Sequence, residues 1–145
     1  MAYLTDGHQT LVTFDALGSG VTILLKETEV TPPGIDSGGE NDTTTMRNET
    51  WRTKQPKALK TLTDGSCVFQ YDPGIYDQIL TIIGVNGLIT VQFSDESTLV
   101  FYGWLNNFTP NACVEGAMPT ANGTFICSNQ DDDGTETAPV YAAAA

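Results

Sequence analysis

The chain has 145 residues, of which 40% are hydrophobic and 17% charged, and its net charge is -12. This length fits a single domain, residues 1–145, and the composition excludes a disordered chain. The negative charge disfavours a protein that grips the phosphate backbone of nucleic acid. The longest apolar runs, such as Ile79–Ile83, are far shorter than the roughly 20 residues that cross a bilayer, so no membrane partner is expected.

The charges are segregated along the chain. All six basic residues lie between Lys26 and Lys60, whereas ten of the eighteen acidic residues follow Lys60. The segment Thr31–Lys54 is rich in Pro, Gly, Asn and Thr, and is too long for an ordinary turn between strands. We therefore expect a long, positively charged arm on an acidic body, which is typical of a protein that binds copies of itself. We also expect the free arm to be mobile, because it has little apolar surface.

Short β-rich runs separated by Gly, Asn, Asp, Ser and Pro predict a mainly β fold. In chain order they are Thr10–Phe14, Val21–Val30, Cys67–Tyr71, Leu88–Phe93, Thr98–Leu105 and Thr124–Cys127. The fourth and fifth runs are joined by four residues and predict a hairpin. The fifth run carries Phe101, Tyr102 and Trp104 on both faces, so both faces of that strand are expected to be covered.

One segment has helical periodicity. Asp72 can cap a helix whose first residue is Pro73, and Gly84 can end it. Isoleucines at positions 75, 79, 82 and 83 then share one face. The predicted fold is a β-sandwich or small barrel with one flanking α-helix and a long extended loop.

The C-terminal residues 130–145 form an acidic tail that is expected to be mobile unless a neighbour holds it. Its Asp131–Asp133 cluster lacks the ligand spacing of an EF-hand loop, so a solvated acidic turn is favoured over a calcium site.

Motifs for catalysis are missing. No GxSxG, HExxH, Walker or GxGxxG pattern occurs, and the only histidine, His8, is interpreted as an exposed residue near the terminus. Glu96 and Glu115 could be paired as glycosidase carboxylates, but no pattern selects them. We therefore expect no catalytic residue, no metal and no cofactor. Three widely spaced cysteines and no signal peptide favour synthesis in a reducing cytoplasm.

Trp51 lies in the polar arm between Arg47, Arg52 and Lys54. Trp and Arg are enriched at the centres of protein interfaces. The sequence leaves two alternatives open: this side chain anchors the arm to a partner, or it folds back on its own domain.

Taken in order, several landmarks resemble the major tail tube proteins of long-tailed, siphovirus-type bacteriophages. They are the Asp/Thr-rich loop Asn41–Met46, then Trp51–Leu59, Phe69–Pro73 leading into the helix, Ile89–Phe93, Phe101–Leu105 and a last strand at Thr124–Ser128. The resemblance implies hexameric rings that stack into a tube, in which a long loop, here Thr31–Lys54, reaches an adjacent subunit. It implies a subunit interface formed by Asp42, Thr43, Thr44, Thr45, Met46, Arg47, Trp51, Arg52 and Lys54.

The expected function is that of a structural, non-enzymatic virion protein. Its partners would be copies of itself, other tail proteins, and genomic DNA that passes through the lumen without specific binding. It would assemble in the host cytoplasm and reside in the virion tail. Other phage ring proteins (a tail terminator, a head–tail connector or a capsid decoration protein), a cytoplasmic ligand-binding sandwich and a hydrolase are the alternatives.

Overall fold

The structure is a computed structural model that describes residues 10–16, 22–24 and 27–143. It is mainly antiparallel β with one helix, as the sequence predicts. The strands are β1 Leu11–Ala16, β2 Thr22–Leu24, β3 Glu27–Thr31, β4 Ile35–Asp36, β5 Glu40–Asp42, β6 Lys54–Pro56, β7 Thr61–Leu62, β8 Gly65–Gln70, β9 Gly87–Gln92, β10 Thr98–Pro110, β11 Thr120–Cys127 and β12 Val140–Ala142. The helix is α1, Pro73–Ile82. The position of His8 lies outside the described residues.

The main sheet has the strand order β2-β1-β9-β10-β11-β8-β3, and β12 adds to β10. All of these neighbours are antiparallel. The sheet is not a closed barrel, but it bends so that β1 approaches β3, where the Val12 amide donates to Glu27 Oε1 at 2.9 Å. Within the described residues, β2 and β3 end the strand order, and β12 is likewise paired on one side only.

The predicted strand Val21–Val30 is wrong as a single element. Its first part, β2, pairs with β1, whereas its second part, β3, pairs with β8 at the opposite edge of the sheet. The two halves therefore have different partners. The predicted hairpin of β9 and β10 is confirmed, with Gln92 opposite Thr98.

The core lies on one face of the bent sheet. Alternate residues of β8 and β9 are buried, which is the period of two expected for a half-buried strand. The largest fully buried side chains are Phe14, Phe69, Phe101, Ile79, Ile89, Leu105, Val12 and Val91. The other face of β10 is only half-buried at Tyr102 and Trp104, so the second face is less covered than the sequence predicts.

Helix α1 begins and ends where the sequence indicates. The Asp72 side chain accepts a hydrogen bond from the Gly74 amide, Pro73 is the first helical residue, and Gly84 has a φ of 75° just beyond the end. Ile79 and Ile82 are buried in the core. In the described part of the chain, no helix has the length and apolar character needed to cross a membrane.

The long loop between β3 and β8 is an extended β-hairpin, which we call the arm (residues 32–64). Beyond the pair Thr31 and Ser66, the ladder continues through β4 with β7 and then β5 with β6. The register changes by one residue between the last two pairs, beside Gly38 and Gly39, whose φ values of 87° and 94° suit glycine. The hairpin therefore continues outward from the body through two short pairs of strands. The arm therefore has β-structure of its own, and the mobility of the free arm stays a prediction.

The C-terminal segment also differs from expectation. Strand β12 pairs with the start of β10, with Tyr141 opposite Leu99. Before it, Asp131 closes the acidic turn, because its Oδ1 accepts from the amides of Asp133 and Thr135 at 3.0 and 2.9 Å. The chain itself therefore holds residues 130–142 against the body.

Candidate assembly interface

The arm brings all nine predicted interface residues together. Asp42 ends β5 and Lys54 begins β6, and the other seven lie in the connection between these strands. We call residues 43–53 the arm tip. The structure thus places the candidate site at the far end of a hairpin that projects from the body.

Backbone and threonine hydrogen bonds hold the arm tip. The Thr43 amide donates to the Thr53 carbonyl at 2.9 Å, and the Thr53 amide donates to Thr44 Oγ1 at 3.1 Å. At the turn, the Asn48 amide donates to the Thr45 carbonyl, and Asn48 Nδ2 donates to the Trp51 carbonyl at 2.7 Å. Sequence reasoning missed Asn48 and Thr53, although Asn is a frequent turn residue and could have indicated the bend.

The charged residues of the arm mostly pair with each other. Arg52 Nη1 lies 3.3 Å from Asp42 Oδ2, and Lys54 Nζ lies 2.9 Å from Glu40 Oε1. Hydrogen bonds from Thr44, together with the charge of Lys54 and the hydrogen bond from Arg52, lower the pKa of Asp42 below 3.8. Arg52 and Lys54 therefore each pair with an acidic residue of the arm itself, and their place in a subunit interface stays a prediction.

The expected positive charge of the arm is also wrong. Residues 31–54 contain four acidic and three basic residues, and the whole arm, residues 32–64, contains five of each. The arm is therefore neutral, and the rest of the chain carries the net charge of -12. Opposite charges sit on its two strands, with acids on the outgoing strand and most bases on the returning one.

The apolar side chains of the arm tip face solvent. Met46 is fully exposed and Trp51 is 81% exposed. Of the two alternatives for Trp51, folding back on its own domain is excluded in this structure. An exposed Trp beside arginines has the composition of an interface centre.

Arg47 and Glu49 are the other charged residues of the arm tip. Neither makes an ion pair with any described residue. The tip therefore presents one apolar pair, Met46 and Trp51, and two charges of opposite sign that have no partner in the described part of the chain.

The sheet offers a second surface for association. The outer sides of β2 and β3 are unpaired within the described residues. Unpaired strand edges expose rows of N–H and C=O groups that readily pair with another chain.

The two carboxylates that could be paired as glycosidase groups, Glu96 and Glu115, lie in different connections between strands. Glu96 has a φ of 68° in the turn after β9, and Glu115 lies in the segment between β10 and β11; both are exposed. Among the described residues, no group of three or more His, Cys, Asp or Glu side chains could hold a metal ion.

No protein-family model and no curated protein matches this chain. Solved structures do match it. A chain of the anti-feeding prophage baseplate, in a 6-fold symmetrised cryo-EM structure, has a TM-score of 0.70 at 7% identity, over 99% of this chain and 98% of that chain. A chain of the tail of an empty gene transfer agent (GTA) particle, refined with C6 symmetry, has a TM-score of 0.67 at 14% identity, over 95% and 98%.

A chain of the sheath–tube complex of an extracellular contractile injection system, in its extended state, has a TM-score of 0.68 at 13% identity, over 99% of this chain and 94% of that chain. At such low identity the likeness concerns the fold. This chain has the fold of chains found in the tails, baseplates and sheath–tube complexes of phage-like particles and contractile injection systems.

Proposed function

We propose that this chain is a structural, non-enzymatic protein of a virion tail, whose copies form hexameric rings that stack into a tube. The observation that carries the proposal is the extent of the structural match, which spans at least 94% of both chains for each tail, baseplate and sheath–tube neighbour. Two of these neighbours come from 6-fold or C6 assemblies, which supports six subunits for a ring here.

Two features of the chain support association with copies of itself. β2 and β3 end the strand order of the sheet, and the unpaired outer side of either strand can accept a strand from another copy. The arm projects from the β3 edge and presents an exposed Trp51. A heterologous contact of this kind closes into rings or stacks into open assemblies.

The proposed tube conducts DNA without binding it. Outside the neutral arm the chain carries all of its net charge of -12. Because contacts to phosphate provide most of non-specific DNA affinity, an acidic lumen lets the duplex pass during ejection. The tube belongs, in this proposal, to a long-tailed particle of the siphovirus type, and its other partners are tail proteins at the tube ends.

A ring protein that does not form long tubes is the second candidate. The match to a baseplate chain favours it, since a baseplate is the end of a tail. Microscopy of the purified chain distinguishes the two, because the second candidate gives single or paired rings instead of tubes.

The proposal is tested by shortening the arm. In the variant, Asn-Gly replaces residues 37–60, so that β4 and β7 remain paired through a two-residue turn. We expect the unaltered chain to form rings and tubes by negative-stain microscopy and sedimentation, and the variant to form no tubes while keeping a similar melting temperature. The matched control, Gln55→Ala, changes an exposed residue of the arm but keeps its length.

Compact monomers of the unaltered chain at every salt and protein concentration would overturn the proposed function. Normal tubes from the shortened variant would show instead that the arm is not part of the assembly interface.

A further inference from the structure

A cleft of about 500 Å³ lies where the base of the arm meets the C-terminal segment. We call it the root cleft. Its lining comprises Ile35, Ala58, Leu59, Lys60, Thr61, Leu62, Asn129, Glu136, Thr137, Ala138 and Pro139. Ile35 and Leu59 are 75% and 80% exposed, so the cleft presents apolar side chains that the chain does not cover.

The root cleft and the arm tip have complementary features. The tip offers two exposed apolar side chains, Met46 and Trp51, and the cleft offers apolar walls of adequate volume for an indole ring. Each surface also carries one exposed acid and one exposed base without an ion pair among the described residues: Arg47 and Glu49 at the tip, Lys60 and Glu136 at the cleft.

The charge around the root cleft also favours contact with an arm tip. Residues 129–143 contain Asp131, Asp132, Asp133 and Glu136 and no basic residue. Residues 46–52 of the tip contain two bases and one acid. Arg52 is paired with Asp42, so Arg47 is the base of the tip that has no partner among the described residues and can approach the acidic rim. Such complementarity steers association and fixes the register of the two surfaces.

The tip of an arm lies outside the cleft of its own chain. No tip residue belongs to the cleft lining, and seven residues, β6 among them, separate Trp51 from Leu59 along the chain. Pairing of β5 with β6 keeps that part of the hairpin extended. The two surfaces can therefore meet only between different copies.

We infer that the root cleft of one copy receives the arm tip of a second copy. Met46 and Trp51 enter the cleft, Arg47 approaches Glu136, and Glu49 approaches Lys60. The contact joins two different surfaces, so each copy uses its tip on one neighbour and its cleft on another. The inference rests on the proposed assembly and names the surface that binds the arm in it.

Site-directed crosslinking tests this contact in the full chain. The background variant is Cys113→Ser, which removes the exposed thiol. The remaining thiols react slowly near pH 7.5, because burial raises the pKa of Cys67 to about 12, with a contribution from Glu27, and burial with the nearby Asp64 raises that of Cys127 to about 11.

One preparation then carries Thr50→Cys at the tip, and a second, mass-tagged preparation carries Ala138→Cys at the cleft. A short bifunctional maleimide is added to each alone and to their mixture. We expect a crosslinked dimer of one tagged and one untagged chain in the mixture, and none in either preparation alone. Adding Trp51→Ala to the tip variant should weaken the association about 30-fold.

A matched control moves the second cysteine to Thr81, an exposed position of α1 outside the cleft, and should give no mixed dimer. Rings or tubes that form without a tip-to-cleft crosslink would overturn this inference and leave the proposed function standing. An unaltered chain that never assembles would overturn both.

Discussion

The body and the arm are both antiparallel β-structure, and the arm prolongs the hairpin of β3 and β8, but different forces hold them. In the body, alternate side chains of β8 and β9 are buried in a common core. In the arm, no residue from Gly34 to Thr61 is buried, and ladder hydrogen bonds with exposed ion pairs hold the strands together. The side chains of the arm contribute little to folding and are therefore available for contacts with other molecules.

The largest expected difference in the free energy of unfolding is between an aromatic substitution in the body and one in the arm. Phe101→Ala in the body should lower the free energy of unfolding by about 3–5 kcal/mol, because it leaves a cavity where the ring is 1% exposed. Trp51→Ala in the arm should change it by no more than about 0.5 kcal/mol, because that ring is 81% exposed. Urea unfolding followed by circular dichroism measures both; equal losses would show that the arm shares the stability of the body.

A smaller effect on stability, which depends on pH, is expected at Glu27 in the body. Burial raises its pKa above 4.5, and its Oε2 has no hydrogen-bond partner in the structure. Because the folded state favours the protonated form, the contribution of Glu27 to stability is present below pH 4.5 and is lost as pH rises through the folded pKa. Glu27→Gln should therefore gain stability relative to the unaltered chain between about pH 4 and pH 7.

Thermal melting at several pH values measures this gain. Glu29→Gln, an exposed neighbour on the same strand, is the control and should show no such trend. A difference between Glu27→Gln and the unaltered chain that stays constant with pH would contradict the prediction.

The smallest effect on stability is expected at Asp42 in the arm, where the pKa is lowered and not raised. Its pKa is lowered below 3.8, first by hydrogen bonds from Thr44, whose amide donates to Oδ1 at 2.9 Å, and then by Lys54 and Arg52. Its contribution is therefore present above pH 3.8 and is lost as pH falls through the folded pKa.

An NMR titration of the Thr44 amide should have its midpoint below pH 3.8, and Thr44→Ala should move the Asp42 midpoint upward. Glu49→Gln, at an exposed acid of the same tip, should leave it in place. A midpoint at or above 3.8, or no response to Thr44→Ala, would show that these hydrogen bonds do not form in solution.

Local signals determine which parts of the fold can be predicted. Asp72, Pro73 and Gly84 act within one helix, and the turn after Gln92 joins strands that are neighbours in sequence, so both elements are predicted. The division of Val21–Val30 depends on two partners far away along the chain, β1 and β8, and no local pattern reveals it.

The arm also contains features that no local pattern in the sequence predicts. Its strands have no alternation of apolar and polar residues, because neither face is buried, so periodicity gives no signal. The nine predicted interface residues fall within positions 42–54, so their closeness follows from the sequence alone, whereas their role as an interface stays a prediction. The ion pairs of Arg52 and Lys54 could not be predicted, because they depend on the register that places Lys54 opposite Asp42.

The base of the arm has a mechanical consequence. The strands of the arm prolong β3 and β8, and at the junction Thr63 donates its amide to the Gly34 carbonyl at 2.7 Å and accepts the Gly34 amide on its hydroxyl at 2.8 Å. Leu62, the residue before Thr63, is buried in the core. A pull along the arm acts on both of its strands at once, so the load falls on the ladder between β8 and β11, whose hydrogen bonds lie across the strands and are loaded together in shear. Tension at the tip is therefore transmitted directly to the core sheet.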